Sequence, residues 1–350
     1  MIDFRYHLVS IVAVFLALAI GIVLGSTALQ GDTIDGLKAI NNSLQNQLNA
    51  ATAERDSYAQ QASAGDQFVQ TAEPTLLKDM LTGDQIVLVT EPGAASAVIS
   101  GIQQAAKDAG ATITGTVALQ PKFNDLSGTT RASLDALNAG LASADGVKLS
   151  PAIDTQTAYQ QQAAQLIAGA ILHKTAAQST LTSTEAQTLL KEYENGGYLT
   201  VGGGNPTAGA TLAVIVTPQA TTADGPSDPA DEVLLALAAQ FAGASAATVV
   251  AGPVITSPAS SSAISVLRSD GTVSGLVSTV DNANYNIGQI SVIWALANLL
   301  QGGKPNNYGV SGASAVSPPV PSPVPSATPT VSVTPTAKAT GKVKKTVSTK

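Results

Sequence analysis

The sequence predicts an α/β fold: an N-terminal transmembrane helix and a short coiled coil, then a mostly parallel, doubly wound α/β domain with a helical insert. Three observations carry this reading. Residues 1–31 contain one long uncharged apolar run, residues 32–66 repeat apolar side chains in heptads, and beyond Asp84 short apolar strands alternate with helical patterns. The expected partition is a membrane anchor at 1–31, a coiled-coil stalk at 32–66, an α/β domain at 80–310 and a disordered Pro/Ser/Thr/Lys tail at 311–350.

The anchor comes first. No charge occurs from Leu8 to Gly31, roughly 24 residues, which as a helix would extend about 36 Å and cross a hydrocarbon core of about 30 Å with some tilt. A cleaved export signal has an apolar stretch of about 7–15 residues before a small-x-small site. The dense run Leu8–Leu24 exceeds that, which favours a retained anchor, although Ser26-Thr27-Ala28 can also be read as a cleavage site. Ala13, Ala17, Gly21 and Gly25 recur every fourth residue and form a small-residue stripe that would let two membrane helices approach closely. Arg5 on one flank against Asp32 and Asp35 on the other favours a cytoplasmic amino terminus, with the main domain extracytoplasmic.

In the stalk, Ile34, Asn41, Leu48, Arg55 and Ala62 would occupy one core position of a heptad, and Leu37, Leu44, Ala51 and Tyr58 the other. This is the pattern of a short two-stranded coiled coil, with Asn41 as the buried polar residue that sets register. The seam residues Leu37, Asn41, Leu44 and Leu48 therefore predict a homo-oligomer. A solvated helical spacer, or a helix packed on its own domain, is the other reading, because Asn41 and Arg55 interrupt the seam.

The body follows. Ile86–Thr90 is an uninterrupted apolar run ended by Glu91-Pro92-Gly93, as in a strand buried on both faces. A helix over Ala95–Asp108 and a strand over Ala111–Ala118 complete a βαβ unit. Helical patterns at Thr130–Ser143, Thr157–Leu172 and Glu185–Glu194 predict the insert. Strands are then expected at Tyr198–Val201, Leu212–Val216, Thr248–Ala251 and Leu276–Val280, with helices near Asp231–Phe241, Ser260–Arg268 and Ile287–Gln301. That alternation implies a mostly parallel sheet covered on both faces. From about Ser311 the chain is rich in Pro, Ser, Thr and Val and ends in lysines, a composition that cannot bury enough surface to fold.

Composition excludes several function classes. With 12% charged and 4% aromatic residues, there is neither a polybasic face nor a run of rings for stacking bases, so no nucleic-acid partner is expected. Cysteine is absent, which removes disulfides, thiolate metal sites and cysteine nucleophiles together. No G-x-S-x-G elbow and no H-E-x-x-H helix occurs, and a Ser/His/Asp triad would have only His173, since His7 flanks the anchor. The usual machinery of an enzyme is therefore mostly missing, and no cofactor is expected. Two local patterns remain as a possible ligand crevice at strand ends. One is Gly202, Gly203, Gly204 and Asn205, which otherwise reads as a tight turn. The other is the polar stretch opened by Asp281, which otherwise reads as helix capping. A basic tail and an extracytoplasmic domain also suit binding to an anionic cell-wall polymer.

The opening Ile2-Asp3-Phe4-Arg5-Tyr6-His7, leading into Leu8-Val9-Ser10-Ile11 and on to Gly21-Ile22-Val23-Leu24-Gly25, resembles the amino terminus of the mycobacterial copper transport protein B family. So do the element Val280-Asp281-Asn282 and the late Tyr308-Gly309. The resemblance spans about residues 1–310 and implies a membrane-associated envelope protein, described for that family as a channel-forming factor that keeps intracellular copper low. Copper(I) prefers Cys or Met sulfur and copper(II) imidazole. This chain offers only Met1, Met80, His7 and His173, so a tight copper site within one chain is not expected, and the metal-ligating residues stay unknown. A pore also requires a helix bundle or a closed barrel, hence several chains.

Overall fold

The computed structural model describes residues 4–151, 156–174, 181–220, 229–255 and 262–322, the side chains of Phe4, residues 27–34 and Pro229 aside. It divides into two units, residues 1–68 and residues 69–350.

The first unit is helical. Helix α1 runs Phe4–Leu77 without interruption, so anchor and stalk are one element, and its last turns belong to the second unit. Neither Gly36 nor Gly65 breaks it, and Pro74, which has no N–H to offer the Gln70 carbonyl, lies in its last turn. The heptad position Ile34 lies among the residues whose side chains are not described.

The second unit is a seven-stranded sheet between two helical layers. Its elements are β1 Gln85–Thr90, α2 Ser96–Asp108, β2 Thr112–Leu119, α3 Gly128–Ala144, α4 Ala158–Ile171, α5 Ser183–Asn195, β3 Leu199–Gly202, β4 Leu212–Val216, α6 Pro229–Ala244, β5 Ala247–Ala251, α7 Ala263–Ser269, β6 Ser278–Val280, α8 Asn286–Leu300 and β7 Asn307–Tyr308. The strand order is β3-β2-β1-β4-β5-β6-β7. All neighbours pair in parallel except β2 and β3, which are antiparallel. The order reverses between β1 and β4, the hallmark of a doubly wound sheet.

Each strand supplies both cores. Val87 and Val89 face the layer of α3, α4, α5, α6 and α7, whereas Ile86 and Leu88 face α2, α8 and the end of α1. Every residue from Ile86 to Thr90, and all of β4 and β5, is buried, which explains why these strands read as continuous apolar runs. The predicted insert does fall between β2 and β3, and its helices form the greater part of one covering layer. They are joined by a buried polar link: Asn138 donates to the Tyr159 carbonyl at 2.8 Å and accepts from the Tyr193 hydroxyl at 2.6 Å. Burial pushes the Tyr193 hydroxyl far above the ordinary tyrosine range, so it acts there only as a neutral donor. Helix α5 starts two residues before the predicted Glu185 because Thr182 and Glu185 close a capping box, with Thr182 N donating to Glu185 Oε2 at 2.7 Å. Helix α8 is apolar nearly all round and too short for a span. Most of its side chains are buried, which makes it a core helix.

Two features differ from the expectation. A seventh strand, β7, pairs with β6. In addition, the chain does not leave the body at 311. Gly309 N donates to the Ala315 carbonyl, a bridge joins Tyr308 to Ala315, and Asn298 Nδ2 donates to the Pro319 carbonyl. Gln301 then pairs with the Ser322 backbone through both its amide nitrogen and its oxygen. Pro318 and Pro321 are buried while Pro319 and Val320 are exposed, so this stretch lies against the body. The predicted tail beyond Ser322, and the start of α7 expected at Ser260, lie outside the described residues.

Candidate functional site

Three groups of residues stand out, and the first is the apolar end of α1. Residues Arg5–Ser26 form a helix long and apolar enough to cross a membrane, and none of it is buried. Val9, Phe15, Leu16, Ile22 and Leu24 are all exposed. The stripe of Ala13, Ala17, Gly21 and Gly25 is likewise open, with no atom near the positions where a Cβ would stand on Gly21 or Gly25. Further along, Leu37, Asn41, Leu44 and Leu48 are exposed on the same helix.

The second group surrounds Asp281, at the carboxyl end of β6. Its carboxylate is fully buried and is shared among three donors: Arg268 Nη1 at 2.8 Å, Val310 N at 2.6 Å and Ser311 N at 2.7 Å. Arg268, from the last turn of α7, also donates to Thr279 Oγ1 at 2.8 Å, to the Tyr308 carbonyl at 2.7 Å and to the Ser311 carbonyl. Gly309 has φ +124°, and a side chain there would collide with the Asp281 carboxylate. Asp281 thus fastens the segment after β7 onto the end of the sheet, and its oxygens are turned to protein donors.

The third group is the glycine turn after β3. Gly203 and Gly204 have φ of +69° and +142°, and a Cβ on Gly204 would run into the Thr114 carbonyl. Asn205 Oδ1 accepts from Thr207 N and Thr207 Oγ1, so it caps the short 3-10 turn at Pro206–Ala208. Gly204 is therefore required by backbone contact with β2, and Gly203 by its positive φ. Replacing Gly204 by Ala should cost about 1–3 kcal/mol through a forbidden φ and steric overlap, whereas Gly202→Ala, with open space around it, should stay within about 0.5 kcal/mol. Chemical denaturation of the two variants checks this; equal, small effects would return the turn to the ligand-contact reading.

The predicted crevice does not come together. Because β3 is antiparallel, Gly202–Asn205 lies beside Thr114 and Thr116 toward the amino end of the parallel strands, at one edge of the sheet. Asp281 lies at the carboxyl end, near the other edge. What the turn does border is a pair of grooves. One, of about 670 Å³, is lined by Ser100, Gln103, Gln104 and Lys107 of α2 with Thr112 and Gly203. The other, of about 200 Å³, lies between the turn and Gln187, Lys191 and Glu194 of α5.

Among the described residues no group of three or more His, Asp or Glu side chains could hold a metal ion. Met80 is buried in the core under α2, and His173 lies against Gly209, far in sequence from His7. Arg268, the partner that fixes the role of Asp281, was missed as a site residue, since no local motif links it to residues 13 positions on and about 40 positions on.

Comparison with known proteins adds what this geometry lacks. The family described as "Copper transport outer membrane protein, MctB" matches residues 1–318. The chain is 30% identical over 321 residues to the copper transporter MctB of Mycobacterium bovis and to that of Mycobacterium tuberculosis, covering 91% of this chain and 99% of each relative. Against the copper transporter MctB of Mycobacterium leprae the identity is 28% over 328 residues, covering 91% of this chain and all of the relative.

Proposed function

Since the chain belongs to the MctB family of copper transport outer membrane proteins, we propose that it is a single-pass envelope protein that lowers cellular copper by efflux, acting as an oligomer. The observation that carries this reading is the match along the whole anchor, stalk and body, coupled to one exposed membrane-length helix. The amino terminus would lie on the cytoplasmic side, as the Arg5 flank favours, and the body outside. Copper is cargo here, and among the described residues a single chain supplies no ligand cluster for it. One helix satisfies its own backbone in lipid but encloses no lumen, so a single span cannot wall an aqueous pore. Any channel would therefore be built from several copies. The body is read as non-catalytic, because Asp281, its most promising carboxylate, is consumed by Arg268 and two amides.

The test is intracellular copper in cells with and without the gene, repeated with a version lacking residues 1–31. Several-fold accumulation on deletion, restored by the full chain and not by the truncated one, is the expected result. Equal copper in all strains would remove the reading. A second reading, a dimeric envelope scaffold that holds a cell-wall polymer, is favoured by the groove of about 670 Å³ that Gln103, Gln104 and Lys107 border. It predicts that isolated wall material retains the protein and that Gln104→Ala with Lys107→Ala weakens retention.

A further inference from the structure

Between residues 35 and 65 every side chain of α1 is exposed, and a helix in that state needs a source of stability. A solitary helix holds together through many i,i+4 ion pairs. Here only Lys38, Glu54, Arg55, Asp56 and Asp66 are charged between Gly36 and Phe68. Lys38 pairs with Asp35 and Arg55 with Asp56, both at the surface, where such contacts add little. Gly36 and Gly65 each cost the helix about 1 kcal/mol relative to Ala. Meanwhile Leu37, Leu44, Leu48 and Tyr58 stand 71%, 58%, 64% and 61% exposed at heptad spacing, the seam of a coiled coil without its other half.

We propose that the missing half is a second copy of this chain, and that the two stalks form a parallel, in-register two-stranded coiled coil over residues 37–62. The proposal deepens the oligomeric reading above and rests on its membrane anchor. Two chains anchored in one membrane through the same end must run in the same direction, so each seam residue meets its own equivalent. Asn41 then faces its counterpart, an arrangement that fixes register at some expense of stability. The charge pattern fits the same geometry. Arg55 is the one cation in the seam, and Glu54, the residue before it, occupies the flanking position from which a carboxylate reaches the guanidinium of Arg55 of the partner subunit. Of the other flanking residues, Lys38 is matched by Asp35 of its own helix. Ile40, Gln47 and Gln61 on one side and Gln45, Thr52 and Ala59 on the other are uncharged, so the flanks of identical copies meet without repulsion, and the like-charge meeting of the two Arg55 side chains in the seam is what Glu54 offsets.

Because the chain has no cysteine, one introduced thiol reports this contact without background. The full-length protein carrying Leu44→Cys, or Leu48→Cys as an independent check, is oxidised mildly in its own membranes and compared with Asn46→Cys, which faces away from the seam. Covalent dimer from either seam variant should exceed that from Asn46→Cys at least tenfold. Its mass in detergent should be twice the 35.0 kDa chain. Equal yields on both faces, no dimer from either seam position, or a species of three or more chains would overturn the proposal. Intracellular copper measured in the same strains separates the two readings: cross-linking without copper export removes only the transport reading, and export without cross-linking removes only the dimer.

Discussion

Replacing Asp281 by Ala should lower the stability of the body by about 3–5 kcal/mol, because it leaves the Arg268 guanidinium buried with no counter-charge. Arg268 is 7% exposed at its side chain and Asp281 not at all, so solvent cannot compensate. The same change strips Val310 N and Ser311 N of their acceptor, adding the desolvation cost of two unpaired amides. For a domain of 150–250 residues, each kcal/mol moves the melting temperature by about 2–4 °C, so a fall of about 6–20 °C is expected. Differential scanning calorimetry of the full chain in detergent reads it directly. A double-mutant cycle with Arg268→Met gives the stronger check. Removing both charges should cost less than the sum of the single changes, since the lone buried charge is what makes each single change so damaging. Additive losses would mean that the pair is not coupled in the folded protein. The outcome also governs how any loss of function in Asp281→Ala is read: a failing body, not an absent catalytic carboxylate.

Deleting residues 1–31 should release the protein from the membrane pellet into the soluble fraction almost completely. At the centre of a span each Leu, Ile, Val or Phe contributes about 0.3–0.6 kcal/mol to insertion, and Arg5–Ser26 holds many of them with no compensating burial inside the protein. Ala17→Arg, which places a cation near the middle of that segment at a cost of about 2.5–3.5 kcal/mol, should weaken retention without deleting anything. Alkaline carbonate extraction followed by immunodetection decides the matter. Retention of the truncated chain in the pellet would mean that another surface carries the attachment. A wild-type polypeptide beginning near Leu29 would show that the apolar segment is removed.

Most of the body was legible because its signals are local. The runs at Ile86, Leu212 and Thr248 are short, mostly apolar on consecutive residues and rich in β-branched side chains, as strands buried on both faces are, and the helices between them carry their own periodicity. What escaped was set by distant residues. Strand β7 is two residues long, Asn307–Tyr308, and exists only because β6 offers an edge to it. The reversed direction of β3 follows from how α5 returns the chain to β2, which no residue of Leu199–Gly202 encodes. Asp281 reads from the sequence as part of a possible ligand crevice, whereas its place in the fold depends on Arg268, Val310 and Ser311, brought to it from other stretches of the chain. Gly202–Asn205 was read on the rule that ligands bind at carboxyl ends of parallel strands, and the antiparallel turn placed it at the opposite end. The tail was expected from Ser311 onward because proline-rich composition signals an absence of core. Pro318 and Pro321 nonetheless find buried places without joining the sheet.

The two borders of the sheet carry a further consequence. An open strand edge presents unpaired amides and carbonyls that recruit other chains into fibrous aggregates. Here one border is β3, only four residues long, and the other is β7, whose outer side is taken by the returning segment at Ala315. Proteins confined to the plane of a lipid layer collide far more often than proteins free in solution, and a sticky border would turn that crowding into irreversible clumping. With both borders blunted, neighbouring bodies can jostle at high surface density without fusing their sheets.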